Sequence, residues 1–315
     1  MKNFLNSLLF KVLFVSLGGI ALFFLLKDYG GEQLLNDLKS IHSWIFLLLL
    51  TFVPTLCAYA AAWWLVTDSQ FSLRQLPLFF RLTVISIAWN NLTPFLKVAG
   101  EPLKGLMLAK QLQIKDRERV AWESTIVYNY VHLLGTVMAI FVAAVAVLYL
   151  ISFPLTSTMK LLVMVVALVT LVMIALGLAL PYSRFLKKLP LNFFCRHPYR
   201  VTIAILLEVM ARFVEGLTFY LAFLILKNPL PFLDASLLEV GRTLIDNIFF
   251  FVPYQVGSRE QGIFFFLTEI LGRDSKGYLG AAMIYRLVEV IWVGIGYLLF
   301  AIQEFYLRRR PRAFA

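Results

Sequence analysis

The chain has 315 residues and a formal net charge of +11, with 61% of residues hydrophobic and 15% charged; an ordinary soluble domain is roughly 45–50% apolar and about 25% charged. Those proportions exclude a soluble globular protein, and because apolar runs recur from residue 12 to residue 303, residues 1–315 read as a single membrane domain. The longest charge-rich stretches, Lys97 to Arg119 and Tyr182 to Arg200, are shorter than the roughly 40 residues an unassisted soluble domain needs, which excludes a separate soluble catalytic domain. The basic excess belongs to cytoplasmic loops rather than to a nucleic-acid footprint, so no nucleic acid is expected as a partner. Two cysteines, Cys57 and Cys195, make no disulfide framework.

In chain order, Val12–Leu26 follows Lys2 and Lys11 as a signal peptide would, but Lys27-Asp28-Tyr29 stands where a small-residue cleavage site belongs. It is read as a retained span. Ser43–Thr67, Ser124–Met159 (interrupted by Pro154) and Leu161–Ser183 are uncharged runs, and Val201–Leu226 and Gly277–Gln303 are long enough to cross despite internal charges, about 20 apolar residues being required. Leu76–Leu96 and Leu237–Leu271 are apolar but broken, the first at Asn90-Asn91 and Pro94 ahead of Gly100, the second at Asp246-Asn247, Pro253 and Gly257. Irregular backbone at membrane depth must be surrounded by protein or a wet cavity, so both are read as re-entrant hairpins inside the bundle.

Basic residues set the orientation. Lys97, Lys104, Lys110, Lys115, Arg117 and Arg119 fall in one region, Arg184, Lys187, Lys188, Arg196 and Arg200 in another, and Arg308, Arg309, Arg310 and Arg312 end the chain; all three are assigned to the cytoplasm. Both termini are then cytoplasmic. The resulting fold class is an all-α polytopic membrane protein of about six transmembrane helices plus two opposed re-entrant helical hairpins, arranged as an inverted repeat of residues 1–155 and 156–315. Pro94 precedes Glu101, and Pro253 precedes Glu260, by seven positions in each case with a glycine between. Helix restarts are expected at Pro102 and at Ser258, which with Gln261 forms a capping-box pattern.

Ionisable groups inside a membrane usually face a cavity or one another. Glu208, Arg212 and Glu215 share one helix face at i, i+4 and i+7, Arg286 and Glu289 repeat the idea at i, i+3, and Glu239, Arg242 and Asp246 approach the second hairpin. These groups are either ligands and proton sites or self-neutralising stripes. Arg212, Arg242, Arg259 and Arg286 gather in the second half, and the guanidinium fork suits phosphate oxygens. Glu101 and Glu260 stand at helix N-termini as caps or as proton acceptors. His132, alone on an apolar run, is read as a packing or hydrogen-bonding residue rather than a titrating one, and Trp63-Trp64, Trp89 and Trp122 as interfacial. No signature of a hydrolase, zinc protease, nucleotide loop or metal cluster is present.

The segments Asn91-Leu-Thr-Pro94 through Gly100-Glu101-Pro-Leu-Lys104, and Pro253-Tyr-Gln-Val-Gly257-Ser-Arg-Glu260, resemble the lysylphosphatidylglycerol synthase transmembrane-region family, also called the flippase-like domain family, over nearly the whole chain. Its members show N-x-x-P…G-E-x-x-R and then P-x-G-x-G-x-x-E; Lys104 stands where Arg is expected and Gln255 where Gly is. The resemblance implies a bacterial or archaeal cytoplasmic-membrane protein that moves lipids, as in the flippase half of multiple peptide resistance factors and in relatives linked to hopanoids or glycosylated polyprenyl lipids. The synthases' soluble aminoacyl-transfer domain has no counterpart in this sequence.

The expectation is therefore a lipid transporter, not an enzyme, that moves an anionic phospholipid or lipid-linked headgroup, with ion or proton coupling left open. Substrate-binding candidates are Asn91, Glu101, Lys104, Arg212, Arg242, Arg259, Glu260 and Arg286; coupling candidates are Glu208, Glu215, Asp246 and Glu289. No catalytic residue, metal or cofactor is assigned. The expected partner is a membrane lipid, with self-association or a lipid-synthesis enzyme as further options. A membrane-embedded lipid-modifying transferase and a non-catalytic lipid-binding scaffold are the alternatives.

Overall fold

A computed structural model describes residues 31–41, 44–67, 73–92, 100–111, 116–151, 155–183, 190–250, 252, 255 and 257–309. The expected span Val12–Leu26 and the breaks at Pro94, Pro154 and Pro253 lie outside these residues. The helices are α1 (Gly31–Ser40), α2 (Ile45–Leu65), α3 (Leu76–Leu92), α4 (Gly100–Gln111), α5 (Arg117–Leu150), α6 (Ser157–Ala179), α7 (Asn192–Arg196), α8 (Pro198–Val214), α9 (Leu217–Ile225), α10 (Phe232–Ile248), α11 (Ser258–Phe265) and α12 (Tyr278–Arg309). A π turn, Phe266–Ile270, prolongs α11. No strand occurs among the described residues.

Four helices, Ile45–Leu65, Arg117–Leu150, Ser157–Tyr182 and Tyr278–Phe305, are long and apolar enough to cross a membrane, and they coincide with four of the six expected spans. At 34 residues, α5 is about 51 Å long against a hydrocarbon core of about 30 Å. It starts seven residues before the uncharged run because Arg119 Nε donates to Glu123 Oε1 at 2.7 Å, one turn on, so charges occupy its exposed first turns.

The fifth run, Val201–Leu226, is two helices rather than one. The chain tightens at Glu215-Gly216, where the Gly216 N–H donates to Phe213 O at 3.2 Å and the Thr218 N–H to Glu215 O at 3.1 Å, both i to i−3. Gly216 lies on α10: a Cβ there would stand 2.5 Å from Ser236 Cα, so only glycine admits this approach.

Both broken segments form antiparallel helix pairs. In the first, Arg81 Nη2 of α3 donates to Gln111 Oε1 of α4 at 2.8 Å, and near the tip the Gly100 N–H donates to Asn90 Oδ1 at 2.8 Å. In the second, Gly241 of α10 faces Phe266, Gly262 of α11 faces Ile245, and Arg273 Nε closes the open end by donating to Asp234 Oδ2 at 2.6 Å. The turn joining α11 to its partner differs from expectation. Ser258 opens α11, so Gly257 is the cap, and Glu260, three residues on, accepts the Gly257 N–H at 2.8 Å. The Ser258–Gln261 capping pattern is thus displaced by one residue, and the buried Ser258 Oγ has no hydrogen-bond partner.

Apolar packing falls into two lobes. One joins the N-terminal half of α2 (Leu48, Phe52, Leu56) to the C-terminal half of α5, α9, α10 and α12. The other joins the C-terminal half of α2 (Ala60, Trp63, Val66) to α3, α4, the N-terminal half of α5 and α8. Trp63 is fully buried here against Phe79, ring centroids 4.8 Å apart, and so is a core residue and not an interfacial one. The changeover lies between Leu56 and Ala60 on α2 and between Val137 and Ala139 on α5. The polar groups of the next section lie along it. By contrast α6 packs along α5 with 11% of its apolar stretch buried and presents the rest outward. One end of the molecule collects basic residues: Lys110 Nζ pairs with Glu304 of α12 at 3.2 Å, and Arg119 and Arg196 line one cleft.

Candidate functional site

Between the lobes lies a cavity of about 340 Å³ to which α2, α3, α5, α8, α10 and α12 contribute. Its lining is mixed: Phe52, Leu56, Val84, Ile87 and Trp292 are apolar, while Asn90, His132, Arg212, Glu215, Arg242, Asp246 and Glu289 are polar or charged.

The polar residues are backed by a network of buried ion pairs. Arg242 of α10 clasps the Glu239 carboxylate with Nε at 2.8 Å and with Nη2, and donates from Nη1 to Asp246 Oδ2 at 2.6 Å; its guanidinium lies over the Tyr285 ring, 4.6 Å from the centroid. Every nitrogen of Arg242 is occupied. Asp246 also receives Arg259 Nε at 3.0 Å and Nη2 at 2.7 Å, and Arg259 Nη1 donates to Glu289 Oε2 at 2.6 Å. Arg286 of α12 pairs with Glu260 and donates to Gln255 O at 3.1 Å.

Gln255 takes the left-handed φ of +51° at the place where the family pattern has glycine. Its side chain explains its tolerance there: Oε1 accepts from Arg259 Nη2 at 2.9 Å and Nε2 donates to Asp246 O at 3.2 Å. The departure from glycine therefore braces the ion pairs instead of loosening the turn.

On α8 the expected stripe is self-paired only in part, between Arg212 and Glu215. Glu208 and Arg212 are one turn apart, yet His132 of α5 stands between them, with Nδ1 2.7 Å from Glu208 Oε2 and Nε2 3.1 Å from Arg212 Nη2. Arginine has donors only, so Nε2 accepts and the ring proton sits on Nδ1, donated to Glu208. This approach depends on Gly135, where a Cβ would stand 2.4 Å from Glu208 Cβ. Arg212 Nη2 also donates to Thr136 Oγ1 at 3.2 Å, Nη1 is 3.9 Å from Glu215, and the buried Nε has no hydrogen-bond partner. Glu215 accepts from Tyr285 Oη at 2.6 Å and lies 3.8 Å from Arg242, linking the two clusters.

In the first pair, Glu101 accepts from Ser86 Oγ at 3.2 Å and from Lys104 Nζ at 3.5 Å. Lys104 is 2% exposed, its ammonium 4.4 Å from the Trp63 ring centroid and 3.7 Å from that of Tyr128, a cation–π box. The box keeps Lys104 off the cavity surface.

Of the sequence-selected residues, Arg212, Glu215, Arg242, Asp246 and Glu289 line the cavity. Glu208, Arg259, Glu260 and Arg286 stand behind them, and Glu101 and Lys104 form a separate pair. Asn91 lies in the last turn of α3, with its side chain outside the described residues; its neighbour Asn90 is the cavity residue. Sequence reasoning grouped Glu239 with Arg242 and Asp246 and marked Asn90 and Gln255 without giving any of the three a site role, did not single out Tyr59 or Tyr285, and gave His132 a packing or hydrogen-bonding role without naming its partners. Glu239 had a signal, its i+3 spacing to Arg242. Tyr59, Tyr285 and His132 had none, because their partners are 70 or more positions away.

An amphipathic cavity ringed by buried ion pairs, inside a bundle of bilayer-length helices, defines a multi-pass membrane protein with a polar interior. Over residues 8–296 the chain matches the model of the family described as lysylphosphatidylglycerol synthase TM region. The protein belongs to that family, whose members are membrane proteins of lipid metabolism or transport. No curated protein and no solved structure matches the chain.

Proposed function

We propose that this protein is a lipid transporter that carries a phosphate-bearing headgroup through its cavity while the acyl chains remain in the bilayer. The observation that carries the reading is Arg212: it lines a cavity of mixed apolar and polar residues, and its buried Nε has no hydrogen-bond partner, whereas Arg242 is saturated by carboxylates. A volume of about 340 Å³ suits a headgroup rather than a whole diacyl lipid, at the lower end of ligand sites (about 300–1,000 Å³). Asn90, Asn247 and Thr243 on the same cavity offer hydrogen bonds to headgroup hydroxyls.

The two antiparallel helix pairs act in this reading as opposed re-entrant elements of an inverted repeat, residues 1–155 and 156–315, which would let the cavity open alternately to either side. The basic end formed near Lys110, Arg119, Arg196 and the last turns of α12 supports a cytoplasmic location for that end, with both termini inside and the protein in a bacterial or archaeal cytoplasmic membrane. Glu208, Glu215, Asp246 and Glu289 are the acids available for ion or proton coupling.

The test is leaflet exchange in vesicles of phosphatidylglycerol and phosphatidylcholine that contain the purified protein and a trace of fluorescent phosphatidylglycerol, quenched from outside. Exchange faster than in protein-free vesicles, and at least about tenfold slower with Arg212→Ala, is expected; that factor corresponds to about 1.4 kcal/mol. Exchange no faster than in protein-free vesicles overturns the reading. Appearance of a new lipid species in the recovered lipid would favour a membrane-embedded transferase.

A further inference from the structure

We propose that His132 couples proton uptake to headgroup binding, by exchanging its hydrogen bond from Arg212 for a proton when Arg212 turns to a phosphate. The inference rests on the reading of the cavity as a phospholipid site and adds the device by which an anion enters it.

Glu208 and Arg212 have the i, i+4 spacing at which acid and base on a helix usually meet directly. The imidazole inserted between them makes their interaction conditional on its protonation. In the arrangement observed, Nε2 accepts from Arg212 Nη2 at 3.1 Å and Nδ1 donates to Glu208 Oε2 at 2.7 Å, which a neutral ring alone can do. A proton on Nε2 would set N–H against N–H. Arg212 and a proton therefore compete for one lone pair.

Each competitor has another place to go. Arg212 has its uncommitted Nε and the cavity beside it, so a phosphate can draw the guanidinium away from Nε2. The proton comes from cavity water, to which His132 is open with 37% of its side chain exposed, and Glu208, fully buried, faces the imidazolium that results. On release of the headgroup, Arg212 returns and the proton leaves to water.

The other groups packed around the ring are aromatic or engaged in ion pairs of their own. Tyr59 of α2 stacks edge-on at 5.5 Å and Tyr128, on α5 itself, lies at 5.8 Å. Glu101 of α4 acts from farther off and is paired with Lys104. Glu239 and Arg242 of α10 approach through Glu215, and α6 carries only Lys160, in its first turn.

Charge gives the exchange its purpose. In the network around the cavity, six carboxylates (Glu208, Glu215, Glu239, Asp246, Glu260, Glu289) meet four arginines (Arg212, Arg242, Arg259, Arg286). An anion entering alone would deepen that imbalance in a medium where isolated charge is costly. With one proton taken up per phosphate, the loaded cavity carries the same charge as the empty one. By linkage each ligand then strengthens the other, so headgroup affinity rises as pH falls.

Dioctanoyl phosphatidylglycerol is a suitable probe because its phosphodiester stays charged across the range tested, leaving any pH dependence to the protein. Titrated calorimetrically onto the purified protein at pH 8, 7 and 6 in buffers of different ionisation enthalpy, it is expected to bind with proton uptake and to tighten by up to about tenfold per pH unit, the limit for one coupled proton. His132→Gln keeps an acceptor for Arg212 but cannot take the proton, so its binding is expected to be independent of pH. Wild-type binding without pH dependence, or an undiminished slope in His132→Gln, overturns the proposal and leaves the lipid site standing. Absence of saturable binding by the wild type at every pH overturns both. Histidine-labelled protein in which His42 and His197 are substituted, with His132 and the residues around it kept, gives a second readout: the His132 ring is expected to pass from the Nδ1–H form to the doubly protonated form as lipid is added. A ring unchanged by lipid overturns the coupling.

Discussion

Asp246 and Arg259, thirteen positions apart on opposite arms of the second helix pair, are joined by two hydrogen bonds, Oδ1 to Nε at 3.0 Å and Oδ2 to Nη2 at 2.7 Å. Asp246 Oδ2 also holds Arg242, so two buried guanidiniums share one carboxylate. Asp246→Ala leaves Arg242 to Glu239 and Arg259 to Glu289 and is expected to cost about 3 kcal/mol. A large drop in apparent Tm in mild detergent, with Asp246→Asn falling between, checks this; a change within about 1 °C would contradict it.

Gln255 opposes backbone strain to side-chain bonding. Gln255→Gly relieves a left-handed residue, worth about 1–2 kcal/mol, while losing bonds to Arg259 and to Asp246 O. Gln255→Ala keeps the strain and loses the same bonds. The glycine variant is therefore expected to stay near wild-type stability and the alanine variant to lie about 2 kcal/mol lower, an order read directly from their melting temperatures.

Gly135→Ala places a methyl 2.4 Å from Glu208 Cβ, at the stem of a side chain that cannot swing aside. Overpacking of this kind costs about 1–3 kcal/mol, and the separation of α5 from α8 is expected to break the His132–Glu208 bond. Gly294→Ala is the control, since a Cβ there meets nothing within 4 Å. Equal melting temperatures for the two variants would refute the close-approach account.

Lys104→Met fills the aromatic box with a side chain of similar length and favourable sulfur–ring contacts, and the half-buried Glu101 retains Ser86. Stability within about 1.5 kcal/mol of wild type is expected. Lys104→Ala empties the box between Trp63 and Tyr128 and is expected to cost about 2–4 kcal/mol. Thermal unfolding of the pair separates packing from charge.

The membrane class, four helices of bilayer length and the two antiparallel helix pairs were legible because they depend on run length and on Pro, Gly and Asn interruptions, which are local. The gathering of acids and arginines was legible for the same reason, as helix spacing assigns Glu239, Arg242 and Asp246 to one face. Which faces meet was not. His132 was read as a packing or hydrogen-bonding residue without named partners, because Glu208 and Arg212 come from α8. The tightened turn at Glu215-Gly216 answers to Ser236, on another helix, and Trp63 looks interfacial until α3 and α4 cover it. Asn91 was chosen because it opens the N-x-x-P pattern of the family; its side chain lies outside the described residues, and nothing in the sequence shows that Asn90 lines the cavity.

The division of the apolar core into two lobes bears on how the molecule can change shape. Interlocked side chains within a lobe cannot slide without opening voids. Along the seam, Asp246 shared by Arg242 and Arg259, and Glu215 set between Arg212 and Arg242, can trade one partner for another of the same chemistry. The seam is therefore the place where α2 and α5, which run through both lobes, can flex while the packing within each lobe is kept, and its redundant charges work as interchangeable fasteners rather than as permanent rivets.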